Sequence, residues 1–153
     1  MRLIKLFILF ILLACEACQN DEKVRNDGYI EYEDGSEFLI LKLNESCIVT
    51  NDNNSITVSF ASVIDNRSPM GRCYLSYGSS ADIYLSISDS EGNEANIDLG
   101  IWGCMYEVIG DGDIYYSIDT LGYRFQLFKL SPYPDGSPIN KDDYTAKIKI
   151  TKL

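Results

Sequence analysis

The stretch Ala81-Asp82-Ile83-Tyr84-Leu85-Ser86-Ile87-Ser88-Asp89-Ser90-Glu91-Gly92-Asn93-Glu94-Ala95-Asn96-Ile97-Asp98-Leu99-Gly100-Ile101 decides the fold. Ala81, Ile83, Leu85 and Ile87 recur at every second position, with Asp82, Ser86 and Ser88 on the opposite face. A period of two belongs to a half-buried strand, because successive side chains leave a pleated backbone on opposite sides. Ser90-Glu91-Gly92-Asn93 interrupts the alternation with turn-forming residues, and Ile97, Leu99 and Ile101 resume it. The whole stretch therefore predicts a β-hairpin.

The same rule extends in both directions. Ile56, Val58 and Phe60 alternate with Thr57 and Ser59; Tyr123, Phe125 and Leu127 alternate with Arg124 and Gln126 before Pro132 and Pro134 end the strand. Tyr144, Ala146, Ile148 and Ile150 alternate with Lys147 and Lys149. No stripe of helical period appears. Turn residues at intervals of about ten positions predict about seven to nine strands, each with one packed and one wet face. That describes an all-β, antiparallel, immunoglobulin-like sandwich, with an open β-barrel as the alternative. One composition regime without repeats argues for a single β domain over residues 29–153, preceded by a polar tether over 15–28.

Residues 1–14 read as a signal peptide. Arg2 and Lys5 precede an apolar run from Leu6 to Ala14, too short for the ~20 residues that span a bilayer. Leu12-Leu13-Ala14-Cys15 resembles the lipobox of bacterial lipoproteins. The resemblance implies cleavage before Cys15 and acyl chains, palmitate among them, on its new N-terminus; two or more chains are needed for stable anchoring. Cys18 is the poorer site, since Glu16 would enter an apolar recognition pocket. The acidic run behind Cys15 resembles the signals that send Bacteroidota lipoproteins to the outer face of the outer membrane, so the expected location is the cell envelope, anchored and facing outward.

The chain has 153 residues, 13 basic and 23 acidic, with a net charge of −10 and no histidine. Loss of residues 1–14 leaves 11 basic residues against 23 acidic ones, a net −12. Such a balance argues against nucleic acid and anionic lipid as partners and favours a cationic ligand, a basic partner protein or a divalent metal, among which the charge alone does not choose. Without histidine the commonest general base, the usual orienting partner of a serine or cysteine nucleophile and the commonest zinc ligand are all missing. The expectation is a non-enzyme without cofactor.

Export to an oxidising compartment would let Cys18, Cys47, Cys73 and Cys104 form two bridges in any of three pairings. A hairpin turn at Glu91-Gly92 places Cys104 opposite about residue 79, near Cys73, which makes Cys73 with Cys104 the first choice. Such a staple would stabilise by roughly 3 kcal/mol. Cys47 falls in a predicted strand and Cys18 in the tether.

The stretch Asp65-Asn66-Arg67-Ser68-Pro69 through Cys73-Tyr74-Leu75-Ser76-Tyr77-Gly78 resembles a family of small secreted proteins and lipoproteins that read Asp-Ser-Arg-Cys-Pro and then Cys-x-Trp-x-Gly. Ser68 stands at the first motif cysteine and Tyr77 at the tryptophan. The resemblance implies fold and location, and no activity. Asp65 and Arg67, two residues apart, face the same way on an extended backbone and are placed to pair.

Trp102, Tyr106, Tyr115 and Tyr116, with Tyr74 and Tyr77, are the candidate binding residues, as a stacking platform for sugar rings or an anchor for a protein. Asp111, Asp113 and Asp119 offer oxygen ligands but no complete calcium loop, so no metal site is assigned. Asp119-Thr120-Leu121 matches a short O-glycosylation sequon. The function expected is a lipid-anchored envelope protein with a binding or scaffold domain for a protein or glycan. The alternative is an inhibitor or immunity lipoprotein acting on a hydrolase or toxin.

Overall fold

The computed structural model describes residues 27–51, 54–69, 80–102 and 117–153, and these form nine strands in two antiparallel sheets. The first sheet contains β1 (Tyr29–Glu33), β2 (Ser36–Lys42), β7 (Ser117–Thr120), β8 (Tyr123–Ser131) and β9 (Thr145–Lys152), in the order β1-β2-β9-β8-β7. The second contains β3 (Ser46–Asn51), β4 (Asn54–Asp65), β5 (Ser80–Asp89) and β6 (Glu94–Trp102), in sequence order. The sandwich expected from the alternation is present, and the sheets do not close into a barrel. Every pairing but one joins consecutive strands. The exception sets β2 against β9, with Leu39 opposite Ile148 and Leu41 opposite Ala146.

The inward face of each strand supplies the core. Ile56, Val58, Phe60, Ala81, Ile83, Leu85, Ile87, Leu99 and Ile101 of one layer meet Leu39, Leu41, Phe125, Leu127, Leu130, Ala146 and Ile148 of the other, all almost fully buried. These are the periodic positions. The decisive hairpin forms as its sequence predicts: Ile87 faces Ala95, Ile83 faces Leu99 and Ala81 faces Ile101. In its turn the Asp89 carboxylate accepts the backbone N–H groups of Glu91 and Asn93 at 2.9 and 2.8 Å and the Asn93 amide at 2.7 Å. Those bonds, the Asn93 side chain's foremost, hold the Asp89 carboxyl below its usual range.

Two bulges correct the strict alternation. The register slips between Phe60 and Ser62 on β4, and between Leu127 and Lys129 on β8. An extra residue in one strand shifts the inward set by one place, which is why Leu130 rather than Lys129 is buried. It also leaves Phe128 on the outer face, where its ring lies 4.9 Å from that of Phe38. Lys147 covers the pair, its ammonium 4.5 Å from the Phe38 ring and 3.0 and 2.5 Å from the carboxylates of Glu31 and Glu33. Phe38 is thus buried, and Phe128 half-buried, under a lysine stem and a cation–π contact.

Up-and-down connectivity alternates the connections between two ends and puts the three longest at the same end. At one end lie the tight links, among them Asp34-Gly35 and Leu121-Gly122, where all four residues have positive φ (49° and 76°, 48° and 79°). Both pairs match the geometry of two-residue hairpin turns. At the other end lie the links 43–45, 66–79, 103–116 and 132–144. The chain also enters the domain there, at Gly28, whose N–H donates to the Ser46 carbonyl at 3.2 Å. Gly28 has no room for a side chain: a Cβ would collide with Leu41 and press on Cys47.

Candidate functional site

The long-connection end is fastened by one buried network. Arg67 leaves β4 two residues after Asp65, and its guanidinium donates to both Asp65 carboxylate oxygens, at 2.9 Å from Nε and 2.7 Å from NH2. The Arg67 N–H donates to the same carboxylate at 3.0 Å. The remaining guanidinium donors reach a different part of the chain, the carbonyls of Leu130 at 2.8 Å and Pro132 at 2.9 Å, which lie on either side of the cis Ser131–Pro132 bond. Tyr144, just before β9, donates its hydroxyl to Asp65 at 3.0 Å. The Tyr133 ring stacks 5.0 Å from the guanidinium, and its hydroxyl donates to the Ser68 carbonyl at 3.0 Å.

Arginine suits this position because its planar fork satisfies a carboxylate side-on while its other donors point elsewhere. The side chains of Arg67 and Asp65 are 0% and 4% exposed, so the pair is desolvated and fully hydrogen-bonded. Burial would push the Asp65 carboxyl up, but the hydrogen bonds from Arg67 and the positive charge behind them outweigh it and hold the group below its usual range. Burial, and then the bond to Asp65, push the Tyr144 hydroxyl up to about 12. The network consumes its own polar groups. Its chemical capacity is to fix where 66–69 and 131–134 leave the sandwich.

The pairing of Asp65 with Arg67 follows from their spacing. Leu130, Pro132, Tyr133 and Tyr144 do not, because they are brought in from more than sixty residues away. Among the aromatic candidates, Trp102 ends β6 opposite Ser80, while Tyr74, Tyr77, Tyr106, Tyr115 and Tyr116 lie outside the described residues. The strand ends that bracket them, Asp65, Ser80, Trp102 and Ser117, share the fastened end.

Cys47 sits on β3 as a free, buried thiol, pushed up by burial; Cys15, Cys18, Cys73 and Cys104, and with them the favoured bridge, lie outside the described residues. So do Asp111 and Asp113. Asp119 is committed to Arg124, whose guanidinium donates to it at 2.7 and 2.8 Å, and among the described residues no cluster of three metal-ligating side chains occurs. Thr120 of the sequon is half-buried at the β7–β8 turn.

A second feature lies on the outer face of the four-stranded sheet, where the β4 bulge opens a depression of about 380 Å³ lined by Ser62, Tyr84, Asn96 and Asp98 among others. Tyr84 is 39% exposed and Ile64 49%. Asp82 lies diagonally from Asp98 across the β5–β6 pair. Burial, followed by the charge of Asp98, pushes the Asp82 carboxyl above its usual range. The strands β3, β4, β5 and β6 contain no lysine or arginine. The opposite outer face carries Lys42, Arg124, Lys129, Lys147 and Lys149.

No protein-family model, curated protein or solved structure matches the chain.

Proposed function

We propose that this chain is a non-enzymatic binding domain of the bacterial cell envelope, held to the outer membrane by lipid on Cys15 and turned outward to contact a protein or glycan. The observation that carries the reading is the Asp65–Arg67 fastening. Its donors are spent on Asp65 and on backbone carbonyls rather than aimed into a cleft, so it serves to hold connections on a rigid two-layer frame. Recognition residues on loops set by a rigid scaffold are the usual design of a binding module. The lipobox Leu12-Leu13-Ala14-Cys15 supplies the anchor, and the absence of histidine from the sequence supports a role other than acid–base catalysis.

From Cys15 to Gly28 the chain reaches at most about 45 Å when extended, enough to hold the domain close to a membrane. Growth with an alkyne-bearing fatty acid, followed by membrane fractionation, tests the anchor. The expected result is label and membrane retention in the wild type, and loss of both in Cys15→Ala. Retention without label would overturn it.

A second reading, an inhibitor or immunity lipoprotein that blocks a hydrolase or toxin, is favoured by the cation-free outer face of β3–β6, which suits a basic target.

A further inference from the structure

We propose that the outer face of the four-stranded sheet, centred on Tyr84 between Ser62, Asp82 and Asp98, is the docking surface for a basic protein that presents an arginine side chain to this depression. Most carboxylates elsewhere in the described domain that receive hydrogen bonds are tied into the fold: Asp65 by Arg67 and Tyr144, Asp89 by its turn, Asp119 by Arg124, Asp135 by the Ser137 N–H, and Glu31 and Glu33 by Lys147. Asp82 and Asp98 differ. Each lies against the other's negative charge, and none of the four strands supplies a cation to offset it. A guanidinium between them would relieve that repulsion and could donate to both, which an ammonium does less well.

The surroundings match the centre of a protein interface rather than a solvated patch. Tyr84 offers a ring for cation stacking, and Ile64 sits beside Asp82 in the next row. Around them Thr57, Ser59, Ser86 and Asn96 add small polar side chains to the same face. Charge complementarity selects the partner. A face whose strands carry no lysine or arginine pairs with a basic protein, and the basic residues on the other sheet make that opposite surface the wrong one.

This inference deepens the binding-domain reading by naming the partner's chemistry. Its assay is independent of lipid on Cys15, so failure of the anchor and failure of the docking surface are read separately. The probe is a fluorescein-labelled hexa-arginine peptide, titrated against the full chain in non-ionic detergent and followed by anisotropy. A peptide with citrulline at every arginine serves as the neutral control. Asp82→Asn/Asp98→Asn is compared with Glu37→Gln/Glu91→Gln, which removes the same two charges from exposed positions away from the face. Far-UV circular dichroism checks the fold of each.

The expected result is binding that weakens about tenfold in Asp82→Asn/Asp98→Asn and in Tyr84→Ala, and less than about twofold in Glu37→Gln/Glu91→Gln, with no binding of the citrulline peptide. Equal losses in the two carboxylate pairs would show attraction to net charge and overturn the proposal. So would absence of binding to the wild type, or undiminished binding to a folded Asp82→Asn/Asp98→Asn.

Discussion

Replacing Arg67 with methionine removes the side chain that ties Asp65, at the end of β4, to Leu130 and Pro132 at the end of β8. The substitution keeps much of the aliphatic stem but deletes the donors to Asp65, Leu130 and Pro132. It leaves the Asp65 carboxylate, 4% exposed, with the Arg67-position N–H and the Tyr144 hydroxyl as its partners among the described residues. Breaking a buried ion pair from one side costs about 3–5 kcal/mol, because the surviving charge stays desolvated. Against a total stability on the order of 5–15 kcal/mol this is a large share. For a domain of this size it corresponds to a fall in Tm of roughly 10–20 °C. Urea denaturation followed by tryptophan and tyrosine fluorescence measures it, with the midpoint expected to drop at constant m-value. Asp65→Leu combined with Arg67→Met recovers part of the loss, since no unpaired charge remains, and the double-mutant cycle yields a coupling of about 2 kcal/mol or more. A loss below about 1 kcal/mol for Arg67→Met alone, or strict additivity in the cycle, would refute the fastening.

Other consequences are smaller and distinct. Because the Tyr144 hydroxyl is pushed up to about 12 in the folded chain, against about 10 in an unfolded one, its contribution is complete below about pH 10 and is lost as pH rises toward 12. Tyr144→Phe is therefore less stable at neutral pH and flatter in its alkaline denaturation profile. The Asp65 carboxyl, held low, contributes above about pH 4 and loses that contribution on acidification below it; acid titration of the wild type against Asp65→Asn reads the difference. Asp82→Asn removes a repulsion with Asp98 and raises stability at neutral pH by about 0.5 kcal/mol, measurable by calorimetry. Gly28→Ala forces a Cβ into Leu41 and costs about 1–3 kcal/mol by overpacking, read in the same urea assay.

The parts of the fold legible in the sequence are those set by neighbours along the chain. Ala81 to Ile101 shows its strands and its turn because the alternation is unbroken and Asp89 closes the turn locally. The pairing of β2 with β9 was not legible, since nothing in Leu39 or Leu41 specifies Ile148 or Ala146 over a hundred residues away. The slip in β8 leaves a trace, for Leu127 and Leu130 are three apart where alternation requires two or four. At the candidate site the Asp65–Arg67 spacing was readable. Its anchoring points on Leu130 and Pro132 are backbone carbonyls, which every residue carries and no sequence advertises. The depression around Tyr84 was hidden for a related reason: it depends on a bulge at Phe60/Ser62 that the regular run Ile56, Val58, Phe60 does not announce.

The most direct test of an anchored, outward-facing domain is labelling of intact cells with a membrane-impermeant amine reagent, which Lys42 and Lys141 accept at exposed positions. The expected result is labelling of the wild type on intact cells, and loss of the labelled protein from the cell fraction in Cys15→Ala. Labelling only after the cells are broken would contradict it.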